Sequence, residues 1–192
     1  ALGTHLSGLS GKTMEHRQTR PGQHGHSVVR RKMSDFGVQL FEKQKLQFNY
    51  WLREKQISRL VKEARKSKMA AGEKLAELIE RRLDNVVFRS GFARSIPAAR
   101  QLVAHGHIQV NGRRVDIASY RVSVGDVIGP KPKSQNLTAI KEAITSLRLA
   151  RPDWLECNYM EGRATMIGNP GLESLSVEVE IARVIEYYAK RG

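Results

Sequence analysis

The sequence contains one cysteine, Cys157, and no run of about 18 consecutive apolar residues. A single cysteine excludes an intramolecular disulfide and a cysteine-rich zinc module. Without a long apolar run there is no candidate transmembrane helix, and the first residues lack the hydrophobic core of a secretory signal. These absences favour a reducing compartment, either the cytoplasm or the interior of an organelle.

Motifs that carry catalysis or bind nucleotides are also absent. The sequence has no GxxxxGK(S/T), GxSxG, HExxH or CxxC pattern, and its carboxylates are scattered without an evident acid–base pair. The histidines of His24–His26 and His105–His107 are two positions apart, whereas a helical zinc site needs a spacing of four. We therefore expect no enzymatic activity, no cofactor and no bound metal.

The charge of the chain is strongly one-sided. It has 33 Lys and Arg against 19 Asp and Glu, which gives a net charge of +14. A bias of this size predicts a polyanionic partner, either a nucleic acid or an anionic membrane. The segment from residue 151 differs, because it carries seven acidic and five basic residues. We therefore expect the anion-binding surface to lie before residue 150.

The N-terminal half predicts a basic arm followed by helices. Residues 1–33 predict an extended arm that a polyanion orders, and Ser34 predicts the N-cap of a helix that begins at Asp35. The apolar side of this helix is predicted as Leu40, Phe41, Phe48, Trp51 and Leu52, with Glu42, Lys43 and Lys45 facing elsewhere. Residues 54–68 and 73–90 predict two more helices, the first with the apolar stripe Ile57, Leu60, Val61 and Ala64.

Residues 107–117 predict a β-hairpin, preceded by a short helix that Ser95 caps. Strands 107–110 and 113–117 flank Asn111-Gly112, and Asn-Gly favours the positive φ angles of a two-residue turn. A two-residue turn pairs Val110 with Arg113 and Gln109 with Arg114, which places His107 opposite Asp116. His107 is therefore expected either to pair with Asp116 across the strands or to contact a ligand. The inward face is predicted as Ile108, Val110, Val115 and Ile117.

The remaining residues give weaker patterns. Residues 130–136 predict a basic loop, and residues 139–147 predict a helix. Beyond Arg151 the pattern is irregular, with strands, or a strand that leads into a helix, predicted at 163–168 and 176–188.

Four stretches resemble a known family. RPGQHG (20–25), EKQKL (42–46), RLDNVVFRSGFARSIPAARQLVAHGHIQVNGRRVDIASY (82–120) and GDVI (125–128) resemble the small-subunit ribosomal protein S-four family of bacteria and organelles. The resemblance is close over residues 20–133 and looser towards the C-terminus. Residues 83–147 resemble the S-four RNA-binding domain, which also occurs in some tRNA synthetases, pseudouridine synthases and a heat-shock protein.

The resemblance implies an α+β fold with several parts. These are the basic arm (1–33), an α-helical domain (34–82), a mixed α/β RNA-binding domain with the antiparallel hairpin (83–147), and an irregular or β extension (148–172). Residues 173–192 are expected to pack back on the helical domain. Because the arm lacks cysteine, the zinc-free form of the family is implied.

The function implied by the resemblance is structural RNA binding in the ribosome of a bacterium or an organelle. Family members bind the 5′ domain of small-subunit ribosomal RNA at a helix junction and nucleate assembly of the subunit body. With ribosomal protein S-five they affect translational accuracy, they contact mRNA where it enters the ribosome, and some repress their own operon. A monomer within the ribosome is implied, with no membrane partner.

The RNA-facing residues implied by the resemblance are basic or polar. They are Arg20, Gln23, His24, Arg30, Arg31, Lys32, Lys43, Lys45, Arg53, Arg59, Lys62, Arg65, Lys66, Arg94, Arg100, Gln101, His105, His107, Asn111, Arg113, Arg114 and Tyr120.

Two alternatives use the same features. An RNA-modification or RNA-rescue factor can carry the same RNA-binding module, but it needs a catalytic segment that this sequence does not supply. A basic peripheral membrane protein needs a broad exposed aromatic face, whereas the apolar stripes here are better explained as the core between helices.

Overall fold

The computed structural model describes residues 2, 4–10, 19, 22–23 and 33–189. Within them, helices and an antiparallel sheet confirm the α+β class, and no helix is long and apolar enough to cross a membrane. The elements are α1 (Asp35–Asn49), α2 (Glu54–Arg65), α3 (Ala71–Glu80), α4 (Leu83–Arg89), α5 (Ile96–Ala104), β1 (Ile108–Val110), β2 (Arg113–Arg114), β3 (Val127–Pro130), α6 (Thr138–Thr145), β4 (Leu155–Asn158), β5 (Arg163–Met166) and α7 (Ile181–Ala189).

Helix α1 begins where the sequence predicts but turns a different side inward. Ser34 Oγ accepts a hydrogen bond of 3.2 Å from the backbone N–H three residues on, which confirms the N-cap. Leu52 is buried as predicted, but the rest of the predicted orientation is wrong, because Phe48 and Trp51 are 43% and 46% exposed while Glu42 and Lys43 are only 6% exposed. Polar side chains therefore line the inward side of this helix.

The C-terminal segment supplies partners for those inward polar groups. Glu42 Oε2 accepts a hydrogen bond of 2.8 Å from the backbone N–H of Glu180. Gln39 Nε2 donates a hydrogen bond of 2.9 Å to Glu186 Oε2 in α7, which packs on α1. A buried polar group costs little when it is hydrogen-bonded, so α1 can bury its polar side against α7.

Helix α2 confirms its prediction, since Ile57, Leu60, Val61 and Ala64 are all buried. The single helix predicted over 73–90 is wrong, because the chain breaks it into α3 and α4. At the break Arg82 forms an isolated β-bridge with Arg121, and the N–H of Leu83 donates to the carbonyl of Tyr120 (2.9 Å). The helical period continues through the break, so the sequence pattern could not reveal this tertiary contact.

The sheet has five antiparallel strands in the order β2-β1-β3-β5-β4. Its hairpin pairs Gln109 with Arg114 and Val110 with Arg113, which confirms the predicted register. Strand β5 confirms the strand predicted at 163–168, and β4 pairs with it. In residues 176–180 the described chain forms no strand and leads into α7.

A buried hydrogen-bonded cluster joins the C-terminal segment to the helices. Tyr50 OH donates to Glu80 Oε1 and accepts from the backbone N–H of Ser176 (3.0 Å), while Asn85 Nδ2 donates to Glu80 Oε2 (2.8 Å). Burial raises the pKa of the Glu80 carboxyl, which is fully enclosed. These contacts bring Ser176 against Tyr50, while the expected domain boundaries and the packing of residues 173–192 as a segment stay predictions.

Candidate nucleic-acid interface

The hairpin turn is held against β3 by Asn111. Asn111 and Gly112 have φ angles of 51° and 75°, as a type I′ turn requires. Asn111 Oδ1 accepts a hydrogen bond from the backbone N–H of Val127 (2.9 Å), and its Nδ2 donates to Asp126 Oδ1 (2.7 Å). The amide of Asn111, predicted to face RNA, is therefore engaged within the protein, where it positions the turn.

The predicted inward face of the hairpin is correct only near the turn. Ile108 and Val110 are buried and Val115 is half-buried, but Ile117 is 59% exposed. Strand β2 ends at Arg114, so the alternation of sides that the sequence predicts does not extend to Ile117.

His107 contacts Ser134, and the predicted pair with Asp116 does not form. Its Nδ1 lies 3.0 Å from Ser134 Oγ, and the serine is almost fully buried. Burial lowers the pKa of His107, and Lys131 and His105 lower it further. The imidazole is therefore neutral at pH 7 and offers a ring face and polar nitrogens instead of a charge.

Arg114 lies across Gly106, the residue that ends the α5 turn. A Cβ at Gly106 would stand 2.4 Å from Arg114 Nε and would displace the guanidinium, while the φ of 68° at this position favours glycine in its own right. Arg114 also pairs with Asp116 at 3.3 Å, and its side chain is 63% exposed. Exposed ion pairs are weak, so Arg114 and the exposed Arg113 can both reach a phosphate.

Asp84 in α4 pairs with two arginines, Arg82 at the break before α4 and Arg100 in α5. Its carboxylate, 1% exposed, accepts hydrogen bonds of 2.8 Å from both Arg82 Nη2 and Arg100 Nη2. Two guanidiniums compensate the buried charge. The side chain of Arg100 remains 26% exposed, so this predicted RNA contact also braces the two helices.

The outer face of α2 carries free cations. Four predicted residues are exposed and form no ion pair with the described residues: Arg59, Lys62, Arg65 and Lys66. Lys55, absent from the predicted set, is also exposed and shares a side with three of them, because positions 55, 59, 62 and 66 follow the helical repeat. We call Lys55, Arg59, Lys62 and Lys66 the α2 basic face.

The α2 basic face borders a cleft towards the hairpin region. Lys55 and Arg59 line this cleft of about 240 Å³ together with Arg82 and Arg121. Arg121 is the second cation that the sequence prediction missed. It lies next to the predicted Tyr120, but no local pattern indicates that the chain brings it beside α2.

Lys43 and Lys45 are engaged inside the protein. Lys43 Nζ lies 2.7 Å from Glu54 Oε2 and 5.4 Å from the centre of the Tyr187 ring, and the residue is buried. Lys45 Nζ lies 2.6 Å from Glu42 Oε1. A buried, paired ammonium has no free face to offer, so Lys43 does not belong to the exposed basic surface.

The other predicted residues divide into two groups. Those that are exposed are Gln23, Arg53, Arg94, Gln101, His105 and Tyr120. Those that lie outside the described residues are Arg20, His24, Arg30, Arg31 and Lys32.

The described part of the chain brings together no group of three or more His, Cys, Asp or Glu side chains that could hold a metal ion. Cys157 is half-buried in β4, and burial raises the pKa of its thiol. A raised pKa disfavours the reactive thiolate.

Comparison with known proteins agrees with this geometry. The model of the ribosomal protein S4/S9 N-terminal domain matches residues 2–80, and that of the S4 domain matches residues 81–128. The small ribosomal subunit protein uS4 of Methylobacillus flagellatus is 52% identical over 191 residues, which cover 100% of this chain and 93% of that protein. Protein uS4B of Nitrosomonas europaea is 49% identical with the same coverage, and uS4 of Thermoanaerobacter sp. is 46% identical over 170 residues, or 88% of this chain and 81% of that protein. At this identity over nearly its whole length, the chain belongs to the small ribosomal subunit protein uS4 family, the S-four family that its sequence resembles.

Proposed function

We propose that this chain binds the 5′ domain of small-subunit ribosomal RNA at a helix junction and nucleates assembly of the subunit body. The broader statement follows from the family: the chain is a structural, non-enzymatic protein of the small ribosomal subunit with an S4-type RNA-binding domain. Because the compared relatives are bacterial, its ribosome is that of a bacterial cytoplasm.

One observation carries the proposal of junction binding. Exposed basic side chains lie on two separate parts of the chain, Lys55 and Arg59 on α2 and Arg113 at the hairpin. The other arginines of the cleft, Arg82 and Arg121, are already paired with Asp84 and Glu63. A helix junction brings phosphates from several strands close together, and such a site suits exposed cations on separate elements of the protein. A single straight duplex would need only one basic face.

The binding mechanism is electrostatic, with selectivity from shape. Lysine and arginine release counterions when they neutralise phosphates, so the affinity falls as salt rises. The deep major groove of A-form RNA is closed to side chains, and selectivity therefore comes from shape, 2′-hydroxyls and unstacked bases. Recognition of shape needs basic groups at fixed positions. Asp84 holds Arg100 by a hydrogen bond, and Asn111 holds the hairpin turn against β3.

Contacts with ribosomal protein S-five and with mRNA belong to the same proposal. The family resemblance supports them, together with an effect on translational accuracy. A catalytic role has less support, because the family is one of structural ribosomal proteins.

Footprinting on full-length small-subunit ribosomal RNA tests the proposal. Protection confined to a junction in the 5′ domain, with an affinity that falls steeply between 50 and 200 mM salt, is the expected result. Protection spread over many domains, or an affinity insensitive to salt, would overturn it. Mapping modified nucleotides after the same incubation tests the enzymatic alternative, and we expect none.

A further inference from the structure

A pocket of about 300 Å³ lies between α5 and α6, beside the start of β1. Its apolar wall includes Ala98 and Leu102 from α5 and Ala139 from α6. His105 and His107 line the side nearest the hairpin. An apolar wall with a few convergent polar groups, and a volume at the lower end of small-molecule sites, is the composition of a ligand pocket.

The polar groups of the pocket can hydrogen-bond a flat ring at its edge. Gln101 is exposed on α5 and lines the pocket, and its amide offers one acceptor and two donors. His107 lines it as well, and because its Nδ1 is engaged with Ser134, its Nε2 is the free polar atom. An amide of this kind is the side chain that pairs with the edge of a base.

The charges in the pocket distinguish it from the α2 basic face. Arg94 Nη2 lies 3.1 Å from Glu142 Oε2, so the one arginine in the pocket has its charge offset by a carboxylate. His107 is neutral at pH 7 because its pKa is lowered. A phosphate would meet the repulsion of Glu142, whereas a neutral ring would not. The side chains of Arg94 and Glu142 are both about half exposed, so little free energy is needed to separate this ion pair.

We propose that the pocket between α5 and α6 receives one unstacked nucleobase of the bound RNA. The ring lies against the apolar wall of Ala98, Leu102 and Ala139, and its edge meets Gln101. This inference rests on the proposed RNA binding and adds a source of selectivity to it. Phosphate contacts position a protein without reading sequence or structure, whereas a pocket for an unstacked base selects a junction or bulge over a regular duplex.

The variant Ala139→Leu tests the pocket by filling it without changing any charge. Ala139 is exposed in the first turn of α6, so the larger side chain leaves the core unchanged. The matched control is Ala182→Leu, the same substitution at an exposed position of α7, outside the pocket. Gln101→Ala serves as a second variant that removes the edge contact without adding volume.

The measurement is affinity together with base-specific chemical probing of full-length small-subunit ribosomal RNA. We expect one nucleotide to be protected by the wild type and by Ala182→Leu, and to regain reactivity with Ala139→Leu and Gln101→Ala. Loss of the base contact should weaken binding by Ala139→Leu about tenfold, with the phosphate footprint unchanged.

The proposal is overturned if Ala139→Leu binds as tightly as Ala182→Leu and gives the same base reactivities. That outcome leaves the proposed function intact, because the footprint in the 5′ domain is read in the same experiment. Conversely, a wild-type footprint outside the 5′ domain would reject the proposed function, while the nucleotide that depends on Ala139 would still identify the pocket.

Discussion

Arg121 and Glu63, 58 positions apart in the sequence, are joined by two hydrogen bonds of 2.6 Å between the guanidinium and both carboxylate oxygens. Glu63 lies in α2, and Arg121 follows the hairpin region. The pair therefore connects the part of the chain matched by the N-terminal family model to the part matched by the S4 domain. Arg121 also lines the cleft beside the α2 basic face, so the pair holds this arginine next to α2.

The first prediction concerns the acid sensitivity of this pair. Hydrogen bonds from Arg121 lower the pKa of Glu63, so its stabilising contribution is complete above the ordinary carboxyl pKa of about 4.3 and is lost as the pH falls through the lowered value. Since both side chains are about two-fifths exposed, we expect Glu63→Gln to reduce the free energy of unfolding by about 0.5–1 kcal/mol at pH 7.

Urea unfolding at pH 7 and near pH 3 measures this effect. The difference between the wild type and Glu63→Gln should shrink at the lower pH, whereas the control Glu178→Gln, at an exposed position of the C-terminal segment, should show little difference at either pH. A difference for Glu63→Gln that grows as the pH falls would contradict the assignment.

The second prediction concerns the buried carboxyl of Glu80. Glu80→Ala leaves Asn85 and Tyr50 without their partner and leaves Arg89, 3.7 Å away, uncompensated. We expect a loss of about 3–5 kcal/mol in the free energy of unfolding, because removal of one partner strands a buried charge. Tyr50→Phe removes two hydrogen bonds, the one donated to Glu80 and the one accepted from the N–H of Ser176, and should cost about 1–3 kcal/mol. Urea unfolding compares the two, and equal losses would show that the charge of Glu80 is not the dominant contribution.

The third prediction concerns the salt dependence of RNA binding. Lys62→Ala, on the α2 basic face, removes an exposed cation and should lower the slope of log affinity against log salt by about 0.7–0.9 per lost phosphate contact. The melting temperature should not change, because the side chain is exposed. Arg183→Ala is the control: this cation lies in α7 and pairs with Glu180 at 2.6 Å. If both variants changed the slope equally, the α2 basic face would not be the site of phosphate contact.

The fourth prediction separates the structural role of His107 from contact with RNA. Ser134→Ala removes the hydrogen bond to His107 and should reduce the free energy of unfolding by about 1 kcal/mol, with an RNA affinity within about twofold of the wild type. His107→Ala should cost a similar amount of stability and weaken RNA binding further, because the ring lines the pocket between α5 and α6. Thermal melts and filter binding measure the two effects. Equal affinities for the two variants would assign His107 to folding alone.

Several features follow from residues that are close together in the chain. Ser34 and Ser95 cap their helices, and Asn111-Gly112 makes its turn, because each motif needs only the backbone within a few positions. The stripe of α2 is likewise local. The net charge predicts the polyanionic partner without any structure, since it depends only on composition.

The orientation of α1, the break between α3 and α4, and the partner of His107 needed the tertiary structure. Periodicity shows that a helix has distinct sides, but the side that faces inward depends on what packs against it. Gln39 and Glu186 are 147 positions apart, and their hydrogen bond makes it favourable to bury a polar side that the pattern predicts to be outside.

Some features of the candidate RNA-binding surface likewise follow from the sequence, and others depend on tertiary contacts. The sequence alone determined which residues are cationic and that most of them precede residue 150, because charge is a property of each side chain. Only the tertiary structure decided that Lys43 is buried against Glu54, that Arg121 stands beside α2, and that α5 and α6 leave a pocket between them. Burial and proximity arise from contacts between distant segments, and no local pattern encodes them.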